Sequence, residues 1–489
     1  MTGIEADYLV VGAGAMGMAF VDTLLTETDA DVVLVDENHQ PGGHWNSVYP
    51  FVRLHQPSAY YGVNSQSLGN DDSLDRSGLN EGFFELASGH EVCAYYDQVM
   101  RNHLLPTGRL SYFPASRYLG ENTFRTLDGS RHRVTVRRRT VDATYLLTVV
   151  QSMRPAPFPV ADGIALTAPN DLPRRAADHN HFTIVGGGKT GMDCCLWLLC
   201  NGVPAHRLRW VRPRDSWLLN RADIQPGPQF VTQLRDSVAK RMQAIAAAAS
   251  LEDLFIRLED AEILLRLDPS VTPTMYHCAI VSHRELEHLR RIEDVVRLGH
   301  IESVEPDHIR LQQGIVDADP ASLYIDCTTQ GLPRPPSVPV FDGDRITLQS
   351  VRSCQQVFSS AFIAHVEAAY GDDATRNALC EPVPHPDAPI DWLRHTLADN
   401  SAQVRWLRDP DLMAWLKSSR LNAARDLFPV FPPGKERVRD KAMGALGVAL
   451  RTTNDQLAAL MGGQSRECLP REAPGPSPPN GASTSAGSA

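Results

Sequence analysis

The feature that most constrains the fold is a glycine-rich turn between a short apolar strand and a helix near the start of the chain. Residues 8–11 are apolar and β-favouring, and the turn G-A-G-A-M-G at 12–17 follows them directly. Apolar side chains then recur at helical spacing, and a second strand, 32–35, ends in Asp36. This order of strand, turn, helix, strand and acid predicts a dinucleotide-binding βαβ unit.

Each glycine of the first turn has a separate predicted role. Gly12 permits the tight turn, Gly14 lets a pyrophosphate approach the backbone, and Gly17 lets the helix pack closely against the strand. The pyrophosphate is expected at the helix N-terminus, where free N–H groups and the helix dipole favour an anion. Asp36 is expected to accept hydrogen bonds from a ribose. The alternative is an empty α/β unit with a tight turn.

The same pattern recurs beyond a proline-rich crossing that marks a connection between domains. Strand-like residues 181–185 lead into the turn G-G-G-K-T-G, and an apolar helix and another strand follow. This strand ends in Arg212, with Arg214 two residues later. A basic side chain there would accommodate the 2′-phosphate of NADP, and the alternative is a solvated strand end. The turn residues predicted to bind the second dinucleotide are Gly186, Gly188, Lys189, Thr190 and Gly191.

Length, charge and hydropathy limit the classes of function. A chain of 489 residues is too long for one compact core, so two or three domains are expected. The 47 basic and 58 acidic side chains give a formal charge of −11, which argues against nonspecific binding to nucleic acid or to an anionic membrane. The sequence has no signal-peptide pattern and no apolar run near the ~20 residues of a membrane span, so a cytoplasmic protein is predicted.

The cysteines argue against a redox pair and against a metal site. Nine cysteines are scattered along the chain, and none forms C-x-x-C. An odd number without a framework predicts reduced thiols in a reducing compartment. Neither cysteine nor histidine shows the spacing of metal ligands, so no metal is predicted.

Local patterns predict further elements between the two turns and beyond them. Ser88 and Glu91 form a capping-box pattern that opens a helix, and Asp128-Gly129 is a hairpin turn between strand-like residues. Residues 62–87 are expected to form a long functional loop, and residues 231–266 a helical insertion. Three arginines at 137–139 are either a solvated strand end or a binding patch.

Two short segments after Asp36 resemble those of class B flavin-dependent monooxygenases. P-G-G-H-W at 41–45 resembles the G-G-x-W segment of that family, which wraps the flavin end of FAD. Y-P-F-V-R-L-H-Q-P at 49–57 resembles the R-L-x-L-H-x-P stretch of plant-type flavin-containing monooxygenases and, more loosely, the P-x-x-R segment of Baeyer–Villiger enzymes. Asp142-Ala143-Thr144 and residues 323–331 resemble the strand-end A-T-G motifs of the family, although Tyr145 replaces the glycine of the first.

The resemblance implies an α/β fold with two Rossmann-like dinucleotide-binding domains, FAD first and NADPH second, the latter inserted, and a helical C-terminal region. The expected division is 1–160 for the first part of the FAD domain, 161–335 for the NADPH domain, and 336–461 for the return and the C-terminal helices. The Gly-, Pro-, Ser- and Ala-rich composition of 462–489 predicts a disordered tail.

The function implied by the resemblance is an NADPH-using, FAD-dependent monooxygenase. Its expected partners are molecular oxygen and a small organic substrate, which would be oxygenated through a flavin hydroperoxide. Gly43 and Trp45 are expected at the flavin. Arg53 and His55 are the predicted catalytic residues: Arg53 would hold negative charge on the flavin, and His55 would donate a hydrogen bond or move a proton. The alternative is that Arg53 pairs with a carboxylate and His55 caps the loop.

One family motif is absent. Class B monooxygenases carry F-x-G-x-x-x-H-x-x-x-W/Y before the second turn, whereas residues 170–177 read N-D-L-P-R-R-A-A. This departure favours a second hypothesis, a non-oxygenating FAD/NAD(P)H oxidoreductase or an FAD-binding protein without turnover. The 41–45 and 49–57 segments favour the monooxygenase.

Overall fold

The computed structural model describes residues 2–69, 74–329, 331–427 and 434–462. The elements of the first part are β1 (Thr2–Val11), α1 (Ala15–Glu27), β2 (Val32–Val35), α2 (Gly89–Val99), β3 (Leu110–Phe113), β4 (Arg117–Gly120), β5 (Thr123–Arg125) and β6 (Arg131–Asp142). The elements of the middle part are β7 (Leu166–Thr167), α3 (Leu172–Arg175), β8 (His181–Val185), α4 (Lys189–Cys200), β9 (Leu208–Val211), β10 (Ser216–Asn220), α5 (Val231–Ala247), α6 (Leu251–Asp260), β11 (Leu264–Leu265), β12 (Met275–Val281), α7 (His283–Leu289), β13 (Asp294–Val296), β14 (Ile301–Val304), β15 (His308–Leu311), β16 (Gly314–Asp317) and β17 (Ser322–Asp326). The elements of the last part are β18 (Phe341–Asp342), β19 (Arg345–Thr347), α8 (Gln356–Ala369), α9 (Asp373–Leu379), α10 (Pro389–Trp406), α11 (Pro410–Ser418) and α12 (Glu436–Gly462).

The first sheet is built around the strand that leads into the first glycine turn. Its strands lie in the order β18-β19-β6-β1-β2-β3, and β1 pairs in parallel with both β2 and β6. All four residues of β2 are buried, as expected of a strand covered on both faces. After the second sheet is complete, the chain returns and β19 pairs in parallel with β6. The prediction that the second unit is inserted into the first is confirmed.

The second sheet repeats this plan. Its five strands are all parallel, in the order β13-β9-β8-β17-β7, and α4 connects β8 to β9 as α1 connects β1 to β2. The predicted helical insertion consists of α5 and α6. The sequence did not predict the small sheet β11-β10-β12 beside it, whose strands are separated along the chain by α5 and α6 and by loops.

The C-terminal helices pack against both units. Helix α8 lies on α1, and its Phe358 and Phe362 belong to the core of the first unit. Helix α10 packs on α12, which also contacts α5, and Trp392 joins Trp217 and Phe255 in a separate core of the second unit. The helical character predicted for this region is confirmed. Apart from Gly462, the predicted disordered tail lies outside the described residues.

Several local predictions are confirmed. The Ser88 hydroxyl accepts a hydrogen bond from the Glu91 amide while the Glu91 carboxylate accepts one from the Ser88 amide, so the capping box opens α2. The Asp128-Gly129 turn joins β5 to the antiparallel β6. The arginines at 137–139 pair with acids such as Asp7 and Asp373, which favours a structural role. Within the described ranges, no helix is long and apolar enough to cross a membrane.

The prediction that the cysteines are unpaired is wrong for one pair. Cys278 in β12 and Cys354 before α8 form a disulfide. The two residues are 76 positions apart, so no local spacing could have revealed them. The remaining described cysteines are free: Cys93, Cys194, Cys195, Cys200, Cys327 and Cys380.

Candidate functional site

Two glycines of the first turn are required by the fold itself. Gly12 has a φ of +104°, in the region that favours glycine, and its amide donates to the Val35 carbonyl at 2.8 Å. A Cβ on Gly17 would lie 1.9 Å from the Gly12 carbonyl oxygen. Gly17 therefore permits close packing of α1 against the turn, as its predicted role requires.

Gly14 differs, because its nearest neighbour is the backbone of a later loop and not the turn itself. It precedes α1, and no side chain among the described residues caps that helix. A Cβ on Gly14 would meet only the backbone of Gly43, at 3.6 Å. Gly43 has a φ of +57°, and the Gly42 amide donates to the Ala13 carbonyl at 2.9 Å. Residues 41–45 thus fold directly over the first turn.

Asp36 lies at the end of β2, beside the same turn. Its carboxylate accepts hydrogen bonds from the Ala13 amide at 2.5 Å and from the amide and side chain of Asn38 at 2.7 and 2.9 Å. Burial raises the pKa of this carboxyl, and the hydrogen bonds oppose that shift. The acid is therefore next to the turn, where a ribose contact was predicted.

Aromatic side chains follow Gly43. Trp45 is buried, its Nε1 donates to the Tyr61 hydroxyl at 2.7 Å, and the two rings meet edge to face at 5.8 Å. His44 packs on Trp45, and burial lowers its pKa to about 4. This segment gives the first turn an apolar, uncharged border.

The second turn has the same backbone geometry as the first. Gly186 has a φ of +131°, and its amide donates to the Val211 carbonyl at 2.9 Å. A Cβ on Gly191 would lie 2.1 Å from the Gly186 carbonyl oxygen. Gly188 precedes α4, again without a side-chain cap among the described residues, and no described atom lies within 4 Å of a Cβ placed on it. The second turn is therefore more open than the first.

The two strand ends that resemble the A-T-G motifs of the family share one hydrogen-bond pattern. The Asp142 carboxylate accepts from the Thr144 amide at 2.9 Å and from its hydroxyl at 2.7 Å. The Asp326 carboxylate accepts from the Thr328 amide at 2.9 Å and from its hydroxyl at 2.5 Å. Each strand end lies against the first glycine of its own turn.

Arg212 ends β9 as predicted, but its side chain is covered. The residue is 3% exposed, its guanidinium lies 4.6 Å from the Trp210 ring centre, and it pairs with Asp215 at 3.2 Å. Burial lowers the pKa of this guanidinium, and Asp215 opposes the shift. The Arg214 side chain is 35% exposed and pairs with Asp387 at 3.1 Å. Of the two predicted cations, Arg214 is the more accessible.

The 49–57 segment bridges the two units. The Tyr49 hydroxyl donates to Asp193 Oδ2 at 2.7 Å, and Lys189 Nζ reaches both oxygens of the same carboxylate at 2.5 Å. Burial next to Asp193 raises the pKa of Tyr49 well above its usual value. Phe51 stacks on Trp197 of α4 at 5.3 Å. The segment therefore joins the first unit to the helix that follows the second turn.

His55 lies at this junction and is uncharged near neutral pH. Burial, together with the charges of Lys189 and Arg221, lowers its pKa to about 3. Its Nδ1 accepts a hydrogen bond from the Ile280 amide at 3.2 Å, so the ring proton is on Nε2. His55 is a hydrogen-bond donor there rather than a group that titrates near pH 7.

Arg53 lies in different surroundings from His55. Its side chain is exposed, and one guanidinium nitrogen donates to the Leu86 carbonyl at 2.8 Å, near the start of α2. Hydrogen bonds from Ser88 and, to a smaller extent, the charge of Arg53 lower the pKa of the Glu91 carboxyl. These contacts favour the structural alternative, and the catalytic role of Arg53 stays a prediction.

The link between Tyr49 and Asp193 was not predicted. Asp193 lies four residues after Lys189, on the same face of α4, and that helical spacing is the signal that could have identified the ion pair. The approach of Tyr49 depends on contacts between segments 144 residues apart, which no local pattern reports.

Residues 10–64 match the family model of the NAD(P)-binding Rossmann-like domain. The chain is 58% identical over 458 residues, 94% of its length and 85% of theirs, to the uncharacterized proteins Rv2000 of Mycobacterium tuberculosis (strain H37Rv) and Mb2023 of Mycobacterium bovis. The matched Rossmann segment contains the first turn, Asp36 and the 41–57 region.

Solved structures similar to this chain carry the names of flavin monooxygenases. The flavin-containing monooxygenase from Stenotrophomonas maltophilia is 13% identical, with a TM-score of 0.46 over 77% of this chain and 99% of that one. Cyclohexanone monooxygenase from Rhodococcus sp. Phi1 bound to NADP+ is 14% identical, with a TM-score of 0.43 over 95% and 99%. An oxidized steroid monooxygenase bound to NADP is 14% identical, with a TM-score of 0.42 over 93% and 98%.

Proposed function

We propose that this chain, which belongs to the protein family of the mycobacterial proteins Rv2000 and Mb2023, is an FAD-containing, NADPH-using monooxygenase of a small organic substrate. The observation that carries the proposal is the repetition of one glycine-turn geometry in two units, with residues 49–57 between them. A chain with two such sites suits a bound cofactor and a second, exchangeable dinucleotide. We also propose the domain limits 1–160, 161–335 and 336–461, and a cytoplasmic location.

The residues at the first turn fit FAD. Gly14 and the uncapped N-terminus of α1 would hold the pyrophosphate, since backbone N–H groups and the helix dipole favour an anion there. Asp36 would accept from the ribose, and Gly43 and Trp45 would face the flavin end. Because residues 41–45 cover this turn, FAD would be retained rather than exchanged.

The residues at the second turn fit NADPH. Gly188 leaves the N-terminus of α4 open to a pyrophosphate, Gly186 and Gly191 shape the turn, and Lys189 and Thr190 lie on the first turn of the helix. The basic end of β9 would meet the 2′-phosphate. Arg212 and Arg214 remain the two candidates, and the greater exposure of Arg214 favours it.

When bound, the flavin would take a hydride from NADPH and react with oxygen, and this chemistry belongs to the cofactor. The protein itself would position the reactants and exclude water. The Nε2–H of His55 would donate a hydrogen bond at the junction of the two units, and its lowered pKa favours the neutral ring near pH 7. Phe51 and Trp197 form an apolar part of this junction, which strengthens hydrogen bonds made beside it.

The proposal is tested by measuring oxygen uptake and hydrogen peroxide release together, with NADPH and a panel of small organic substrates. A substrate that stimulates oxygen uptake without peroxide release supports the monooxygenase. His55→Asn retains an acceptor for the Ile280 amide but removes Nε2, so it should keep FAD and its reduction by NADPH while diverting oxidation to peroxide. Exposed His206→Gln is the matched control and should remain coupled. A wild type that consumes no oxygen with any substrate would favour the non-oxygenating oxidoreductase instead.

A further inference from the structure

We propose that Cys278 and Cys354, with His395 beside them, form a redox-active thiol pair that clamps the second unit to the C-terminal region. The two sulfurs are bonded, and a ring nitrogen of His395 lies within 4.8 Å of both. Cys278 is buried in β12, whereas Cys354 is only partly buried. An incoming thiol can therefore reach Cys354, which is the condition for exchange with an external reductant.

His395 is held so that it can accept a proton from the pair. Its Nδ1 lies 3.1 Å from the Pro384 carbonyl oxygen, which only accepts, so Nδ1 carries the ring proton. Its Nε2 is therefore an acceptor, and the Ser353 hydroxyl donates a hydrogen bond to it at 3.0 Å. Burial lowers the pKa of this histidine, so the ring is a neutral base. A thiol proton would reach this base through the Ser353 hydroxyl, or after displacing it, when the disulfide forms again.

Two residues at the disulfide have positive φ angles, which residues other than glycine rarely adopt. Cys278 has a φ of +55°, and Ser353, next to Cys354, has a φ of +41°. Such conformations cost free energy and persist only where the surrounding structure holds them. Cys278 lies where the register of β12 against β10 shifts, and the disulfide adds a covalent constraint there, so its reduction would let both segments relax.

The strand that carries Cys278 connects the pair to the junction between the two units. The Ile280 amide donates to His55, and the Tyr276 amide donates to the Asp387 carbonyl at 2.7 Å, close to α10. Cys278 is thus only two residues from the amide that donates to His55, and a movement of β12 at Cys278 would be felt at that hydrogen bond. Reduction of the pair is expected to loosen β12 without unfolding the sheets.

The chemistry balances with a dithiol as reductant and hydrogen peroxide as oxidant. A dithiol attacks Cys354 and releases the Cys278 sulfur, and its second thiol then displaces Cys354, which leaves two protein thiols and an oxidised dithiol. In the reverse direction one protein thiolate reduces peroxide to water and becomes a sulfenic acid, and the other thiol displaces a second water to form the disulfide. Disulfides of reducing compartments are mostly of this reversible kind.

The experiment uses the full chain, without denaturant, and neither flavin nor NADPH enters its readout, so it is independent of the proposed function. Accessible thiols are counted, and amide hydrogen exchange of β12 is measured, in oxidised and dithiol-treated protein. Dithiol should add two thiols and speed exchange in β12, and stoichiometric peroxide should reverse both. Cys354→Ser should show no dithiol-dependent change in exchange, whereas Cys200→Ser, at an exposed free cysteine, should respond as wild type. His395→Asn should slow re-oxidation about tenfold or more.

Three results would overturn the proposal. The disulfide would be structural if it resisted dithiol until the protein was unfolded. The pair would not exist if both thiols were already free in air-oxidised protein. The three side chains would be a metal site if the reduced protein retained stoichiometric zinc that Cys354→Ser lost. Should His395→Asn fail to fold, the Cys354→Ser and Cys200→Ser results still decide between these outcomes.

Discussion

The two glycine turns have the same backbone and different surroundings. In both, the first glycine has a positive φ, and the last lies where a Cβ would be 1.9 or 2.1 Å from a carbonyl oxygen. The difference lies around the middle glycine, because Gly14 lies against Gly43 while Gly188 has no described neighbour within 4 Å of a Cβ. The repeated geometry fixes the fold, whereas the residues around each turn determine whether a ligand is enclosed or can exchange.

The largest expected effect comes from enlarging Gly14, which lies against the loop that covers the first turn. Gly14→Val should lower FAD affinity by about a hundredfold or more, because its side chain would press on the backbone of Gly43 and shift the residues that enclose the pyrophosphate site. The protein should be purified colourless while its far-ultraviolet circular dichroism stays that of the wild type. Gly188→Val is the matched variant in the second unit, and it should remain yellow but lose NADPH binding. A yellow Gly14→Val protein would contradict the assignment of FAD to the first turn.

The last glycine of each turn should affect folding instead of binding. Gly17→Ala and Gly191→Ala each place a Cβ against a backbone carbonyl, so each is expected to cost about 3 kcal/mol or more in the free energy of unfolding. Urea denaturation of cofactor-free protein measures this cost. If either variant were as stable as the wild type, the turns would be less tightly packed than their geometry indicates.

The two arginines that follow β9 are expected to have different roles, one in nucleotide binding and the other in stability. Arg214→Ala should reduce the preference for NADPH over NADH roughly tenfold, since a charge-assisted contact to phosphate is lost. Arg212→Ala should mainly reduce stability, because it leaves buried Asp215 with one fewer cation. Dissociation constants for both nucleotides and thermal unfolding distinguish the two variants. A lost preference in Arg212→Ala at unchanged stability would restore the assignment made from the sequence.

The last prediction is a dependence of stability on pH. His55 and His44 have pKa values lowered to about 3 and about 4, whereas an unfolded histidine titrates near 6.5. The unfolded chain therefore binds more protons between these values, and stability is lost as the pH falls from about 6.5 towards 3. His55→Asn should make unfolding less dependent on pH across that window. An unchanged slope would mean that His55 is more hydrated than its contacts indicate.

Those parts of the fold that depend on local sequence were predictable. Both turns, the acid and the arginine at the strand ends and the capping box at Ser88 follow from residues close together in the chain. The sequence could not bring Tyr49 to Asp193 or Cys278 to Cys354, because those contacts join segments far apart. It also could not show that Arg212 is covered, since burial of a strand end depends on what packs over it.

The central claim is that FAD at the first turn is reduced by NADPH from the second. The most direct test is the absorption spectrum of the yellow protein during anaerobic addition of NADPH, followed by admission of air. The account predicts that NADPH bleaches the flavin band, that NADH does so less efficiently, and that air restores the band. Wild-type protein that is colourless and cannot be reconstituted with FAD, or a flavin band that NADPH leaves unchanged, would contradict it.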